Sequence, residues 1–198
     1  PGVDKQFQSL VRVILGFWFG SPGEAGQDES REAWWLKDPA FDAEIRALFL
    51  EAYQSAVAGE LDALAHTAEG ALALILLFDQ FSRNMFRGER ACYASDEAAR
   101  KIARQALDQG FDQAVSPLRR WFFYMPFEHS ESLADQDLSV SLFEALPVST
   151  RRDEVVTSAL RHREIVAQFG RFPHRNEILG RTTTPDEAAF LQQPNSSF

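Results

Sequence analysis

The sequence has a single cysteine, Cys92. No disulfide can form within one chain, so no disulfide framework holds the fold, and the composition suits a reducing compartment. Cys92 itself reads as a small apolar residue rather than a nucleophile. Cations are in the minority: 20 Lys and Arg stand against 29 Asp and Glu, for a net charge of −9. Such a field disfavours nonspecific contact with nucleic acid or anionic membranes. Long apolar runs are missing too. Leu10–Gly20 (LVRVILGFWFG) carries Arg12, has no small-residue cleavage pattern after it and is too short to span a bilayer. It reads as a core helix, and a cytoplasmic protein is expected. The chain begins at Pro1, which implies an initiator methionine removed or a trimmed sequence.

Several chemical signatures are also lacking. The glycines of GSPGEAGQDES follow no strand and precede no Gly-Lys-Ser/Thr, which sets a phosphate loop aside. There is no His-Glu-x-x-His, and no histidine has a glutamate three residues before it. Asp62, His66 and Glu69 have helical spacing but read as a solvated face. No nucleophile elbow or triad pattern is legible. Neither a metal nor a cofactor is expected.

What is present is a helical code. Hydrophobic residues make up 45% and charged residues 25% of the 198 residues, the balance of a globular domain able to bury a core. Phe7, Leu10, Val11, Ile14, Leu15 and Trp18 recur at helical spacing. Asp38 then Pro39 form a helix start, and the apolar set Phe41, Ile45, Leu48, Phe49, Ala52 and Val57 runs toward Gly59. Ala71–Phe78 is apolar all round and belongs at a centre. Helices follow from Ser95 to Gly110, from Ser116 to a stop at Pro126, over about 131–146 and over 150–169. Thr184 and Glu187 bracket Pro185 as a capping box. No stretch alternates with period two. The spacing predicts one all-α domain over 1–198, with eight or nine helices in antiparallel pairs.

Three polar clusters interrupt this rhythm. In FDQFSRNMFRG, Asp79 and Arg83 share a helix face, and Asn84 and Arg87 extend it. In YMPFEHSES, Glu128 and His129 follow an aromatic helix; capping accounts for Ser130, Ser132 and Glu131, and leaves Glu128 and His129 as acid–base candidates. In FGRFPHRNEILGR, Arg171, His174, Arg175, Asn176 and Arg181 crowd around Pro173 between Gly170 and Gly180. Arginine forks suit carboxylate or phosphate. The preceding stripe Val155, Ala159, His162, Val166, Phe169 turns His162 inward as a hydrogen-bonded core residue.

LFDQFSRNMFRG, FFYMPFEHSES and RHREIVAQFGRFPHRNEILGRTTTPDEAAFL resemble the bacterial family catalogued as domain of unknown function nine-two-four. The likeness runs from GFWFG to PDEAAFL. It implies a tetratricopeptide-like, right-handed helical superhelix and no established activity, so no catalytic residue is carried over. Ser82 is a departure, since family members often carry proline there.

Three functional readings stay open. The first is a concave pocket for a small anionic ligand, with Arg83, Asn84, Arg87, Arg171, His174, Arg175, Asn176 and Arg181 as contacts, Glu128 and His129 for proton transfer, and Trp34, Trp35, Phe127 and Phe172 as walls. The second is a module clamping an acidic or C-terminal peptide. The third has the arginines as structural struts paired with Asp and Glu. Convergence of Arg83 or Arg87, Glu128 or His129, and Arg171 or His174 is expected under the first. The sequence does not fix an oligomeric state.

Overall fold

The structure, a computed structural model, describes residues 2–149 and 151–198, with side chains from Lys5 onward. Among the described residues it is all-helical, without strands. Two compact units emerge: Pro1–Arg87 with Ala91–Pro126, and Gly88–Arg90 with Phe127–Phe198.

The first unit is built on α1 (Gly2–Phe19), α2 (Pro39–Val57), α3 (Ala68–Ile75), α4 (Ser82–Met85), α5 (Asp96–Asp108) and most of α6 (Pro117–Glu128). Val11, Ile14, Leu15 and Trp18 form the buried stripe of α1, as their spacing requires. Asp38 accepts from the amide of Ala40 and caps α2, with Pro39 in its first turn. The buried face of α2 is Ile45, Phe49, Tyr53 and Ala56, whereas Leu48 and Val57, expected inside, are 55% and 59% exposed. One helix cannot turn both sets inward, and Phe49 and Tyr53 bring the larger apolar area. Aromatics fill the centre. Trp18 meets Trp34 at 5.4 Å and Phe122 at 5.7 Å, and Phe49 stacks on Phe81 at 4.8 Å. Each such ring contributes about 1.5–3 kcal/mol on leaving water.

Ala71–Phe78 is buried throughout, which fits its uniformly apolar sequence. It is not a plain α-helix. Leu76–Phe81 is a π turn, and the amide of Ser82 reaches back to the Leu77 carbonyl. α3, this turn and α4 make one continuous helix, widened by one residue where Asp79 lies. Ser82 is fully buried and its Oγ donates to the Phe78 carbonyl at 2.6 Å. Gly70, in the first turn, is required by close approach: a Cβ there would stand 2.1 Å from the Leu64 carbonyl oxygen.

The second unit carries α7 (Leu133–Glu144), α8 (Arg152–Phe169), α9 (Asn176–Leu179) and α10 (Pro185–Leu191). α7 and α8 pack along each other. Thr150, where the sequence pattern starts α8, lies outside the described residues. Pro126 does not end α6. The helix runs on to Glu128, since a proline near the C-terminus costs only one ladder bond. Gln136, fully buried, satisfies carbonyls at the end of this helix and just past it: its Nε2 donates to the carbonyls of Glu128 at 2.6 Å and Ser130 at 2.7 Å. Gly170 closes α8 with φ +71°, and its amide bonds the Val166 carbonyl at 2.8 Å. Phe172 then plugs a core of Ile165, Val166 and Phe190. α10 begins with the expected reciprocal cap of Thr184 and Glu187. No helix among the described residues is long and apolar enough to cross a membrane.

Candidate functional site

In the first unit, the end of the π-widened helix presents Arg83, Asn84 and Arg87. Arg83 forks onto Asp96, Nη1 to Oδ1 at 2.8 Å and Nη2 to Oδ2 at 3.0 Å, and lies 3.6 Å from Asp79 Oδ1, the pairing expected from their spacing. Burial opposes its charge, but Asp96 and Asp79 outweigh burial and hold the guanidinium above its ordinary range. Asp42 takes both neighbours: Arg87 Nε donates to Oδ2 at 2.7 Å, and Asn84 Nδ2 to Oδ1 at 2.8 Å. Burial pushes the Asp42 carboxyl up, yet these bonds leave it below the usual range. Asp42 and Asp96 sit in the first turns of α2 and α5, where acids are common. Nothing in the sequence singles them out as arginine partners.

The second and third sequence clusters meet in the second unit. Arg171 Nε and Nη2 donate to Glu187 Oε2 and Oε1 at 2.9 and 2.7 Å, and Nη2 also reaches the Thr182 carbonyl at 2.7 Å. Glu187 is pulled down to about 2, first by Arg171, against burial, with help from Thr184 and Asn176. Asn176 Nδ2 lies 3.3 Å from Glu187 Oε2, while its Oδ1 accepts from Arg181 Nε at 3.0 Å. Arg181 in turn grips Glu131 at 2.8 and 3.0 Å and the Phe172 carbonyl at 3.1 Å. Arg175 stacks over Phe172 at 4.7 Å, donates to the His129 carbonyl at 2.8 Å and stands 3.5 Å from Glu131. One chain of bonds therefore links Glu131, Arg181, Asn176, Glu187 and Arg171.

Beside this chain lies a histidine corner. His162 is buried, as its stripe requires, and its Nδ1 stands 2.8 Å from the Ser158 carbonyl and 3.2 Å from Glu128 Oε1. Two oxygen acceptors at one nitrogen place the ring proton on Nδ1, which leaves the lone pair on Nε2. Glu128, also buried, accepts from Ser158 Oγ at 2.8 Å. Burial lowers His162 to about 3, aided by His129, His174 and Arg175 and opposed by the Ser158 carbonyl. The imidazole is neutral at neutral pH. Phe127 and Phe172 are fully buried, and serve as core rather than exposed wall. Trp34 is core of the first unit, and Trp35 is half-exposed there.

The segment after α10 was not legible as part of a site. Asn195 adopts φ +58° and turns the chain back. Arg161 holds the Asn195 carbonyl from Nη2 at 3.2 Å, and Ser196 Oγ donates to the Leu191 carbonyl at 3.2 Å. The Phe198 ring then stacks on His162, centroids 3.7 Å apart. Pro194–Asn195 is the only signal of that turn in sequence. Between α8 and α10 an open depression of about 660 Å³ is lined by Arg161, Glu164, Phe169, Arg171, Glu187 and Phe190 among others. Its arginines already meet Glu164 and Glu187, at 2.9 and 2.7 Å. No group of three metal-ligating side chains occurs among the described residues.

No curated protein matches the chain. A solved structure of a protein of unknown function from Agrobacterium tumefaciens is 42% identical, with 93% of this chain and 98% of that one covered and a TM-score of 0.83. The model of a bacterial family of unknown function, DUF924, matches residues 14–195. With the same three polar motifs inside that span, the chain belongs to the bacterial DUF924 family.

Proposed function

We propose that the second unit binds a small anionic ligand at the histidine corner, with the arginine chain as its frame. The observation that carries this reading is the gathering of cation-forming side chains about the buried His162 ring: the His129 ring lies 6.2 Å away, and His129, His174 and Arg175 add to burial, the main cause, in suppressing its protonation. An anion at this corner offsets that repulsion. Arg171 and Arg181 hold Glu187 and Glu131, and so fix the corner instead of supplying ligand contacts. The same pairing in the first unit makes Arg83, Asn84 and Arg87 struts of α2 and α5. Glu128 and His129 are the candidates for proton exchange with the ligand. The test is titration of the His162 C2 proton by NMR, with and without inorganic phosphate or acetate. Binding raises the His162 pKa and the melting temperature by linkage. No shift in either, up to tens of millimolar, overturns the reading.

A second reading, an interaction module for an acidic peptide, draws support from the tail, since residues 194–198 already lie against α8 by way of Arg161 and His162. A peptide that binds where acetate and phosphate do not would favour it.

A further inference from the structure

The histidine corner has a floor that holds itself and a cover that is only lightly tied. His162 is 5% exposed, its Nδ1 fixed by the Ser158 carbonyl and Glu128, and Phe172 beside it is set among Ile165, Val166 and Phe190. All of these contacts are made by residues before Gln192. The cover is Phe198, whose ring centroid lies 3.7 Å from that of His162 with the planes inclined by 21°. Rings that close are in van der Waals contact, and neither water nor a ligand fits between them. Edge-on contacts to Phe172 and His174, at 6.2 and 5.7 Å, complete the closure. Yet Phe198 is 48% exposed, and Gln192, Gln193, Pro194, Asn195 and Ser197 are exposed as well. Among the described residues, the polar ties of this segment are Arg161 to the Asn195 carbonyl, at 3.2 and 3.4 Å, and Ser196 Oγ to the Leu191 carbonyl, at 3.2 Å. Buried Phe190 anchors the near end, and Asn195, at φ +58°, supplies the bend. A segment with so few buried contacts opens locally at far less cost than unfolding the domain.

We infer that residues 192–198 are a hinged strap over the histidine corner, and that the His162 ring is open to a ligand only in molecules where Phe198 has lifted. The inference rests on the anion-binding reading above for what enters, and adds how entry is controlled. A strap that is mostly closed lowers the apparent affinity of the corner by the fraction of molecules in which it is open. Arg161 is the latch. It stands one residue before His162 on α8, lies over the Phe190 ring at 5.5 Å and meets Glu164 at 2.9 Å, so it keeps its place whether or not it holds the Asn195 carbonyl. Lifting the strap therefore exposes the ring without dismantling the floor.

The experiment measures access to His162 by its rate of acylation with diethyl pyrocarbonate, mapped by peptide mass. The reagent attacks neutral imidazole, and His162 is neutral at neutral pH, so the rate reports access rather than charge. Exposed His66 is the internal reference. In the parent, His162 is expected to react at least about tenfold more slowly than His66, and Phe198→Ala to raise the His162 rate about tenfold or more. Arg161→Ala, which keeps the Phe198 ring and removes both bonds to the Asn195 carbonyl, is expected to fall between the two, and Phe198→Tyr to match the parent. A parent rate equal to that of His66 overturns the inference, as does an unchanged rate in Phe198→Ala or an acceleration that Arg161→Ala does not share. Inorganic phosphate, followed through the His162 C2 proton, is expected to bind Phe198→Ala about tenfold or more tightly than the parent. Equal, measurable affinity in the two overturns the strap and leaves the anion site standing. If phosphate binds neither protein while acylation accelerates as expected, the anion reading fails and the strap stands as the cover of the ring.

Discussion

Arg171 and Glu187, sixteen residues apart, meet through two parallel hydrogen bonds of 2.9 and 2.7 Å that join the turn after α8 to the first turn of α10. The Glu187 side chain is only 3% exposed, and the same carboxylate closes the cap of α10. Replacing Arg171 with alanine leaves this carboxylate without its fork. The urea midpoint of Arg171→Ala is expected to fall. Arg171→Ala in a Glu187→Ala background should lower it much less, and strict additivity of the two in a double-mutant cycle would show that the pair is no strut.

Acid stability carries the signature of His162. Its folded pKa, about 3, lies below the ordinary 6.5, so the unfolded chain binds the proton first. Stability is therefore full above about pH 6.5 and declines as pH falls toward 3, by at most about 1.4 kcal/mol per unit for one proton. Glu187, lowered from 4.5 to about 2, adds a loss that begins near pH 4.5 and ends near 2. His162→Gln should flatten the dependence between pH 6.5 and 4.5 in urea melts while leaving the lower limb. An unchanged slope there refutes the assignment.

The pairing of Arg83 with Asp96 is tighter than a surface bridge, since the two side chains are 21% and 8% exposed. Asp96→Asn keeps the shape and removes the charge. It should destabilise by about 3 kcal/mol, in the range for a buried pair that loses one partner. A chemical-denaturation difference below about 1 kcal/mol would place the pair among ordinary surface bridges.

Two glycines give opposite tests. Gly170 has φ +71° with nothing near its missing Cβ, so Gly170→Ala should cost only the backbone term, about 1–2 kcal/mol. Gly70 has an ordinary helical backbone but faces the Leu64 carbonyl, and Gly70→Ala must displace main chain. Its loss in melting temperature should be the larger, and the reverse order would mean that the turn before α3 yields easily.

Local signals carried much of this fold. Asp38 with Pro39 and Thr184 with Glu187 mark helix starts by chemistry that acts within four residues, and both caps form. The stripe that placed His162 inside also needs only one helix's period. The π turn had no such signal, because Ala71–Phe78 is apolar on every side and carries no phase to reveal an extra residue. The partners of the arginines were hidden for a different reason. Arg87 finds Asp42 across 45 residues and Arg181 finds Glu131 across 50, and an acid in a helix's first turn looks the same whether or not an arginine meets it. The division into two units was equally silent, because it passes through α6 at Pro126 rather than through a linker. The tail after α10 carries no periodicity, and nothing in its sequence shows that Phe198 meets His162.

The π turn also sets the aim of the helix that carries it. Wound as an unbroken α-helix, the same residues would carry Arg83 and Asn84 round by about 100° relative to Ala68–Ile75, because the wider turn takes up one more residue than an α turn does. Both side chains would then swing away from Asp96 and Asp42, the carboxylates that now receive them. The bonds of this polar motif depend on that one residue of slack as much as on the motif's composition.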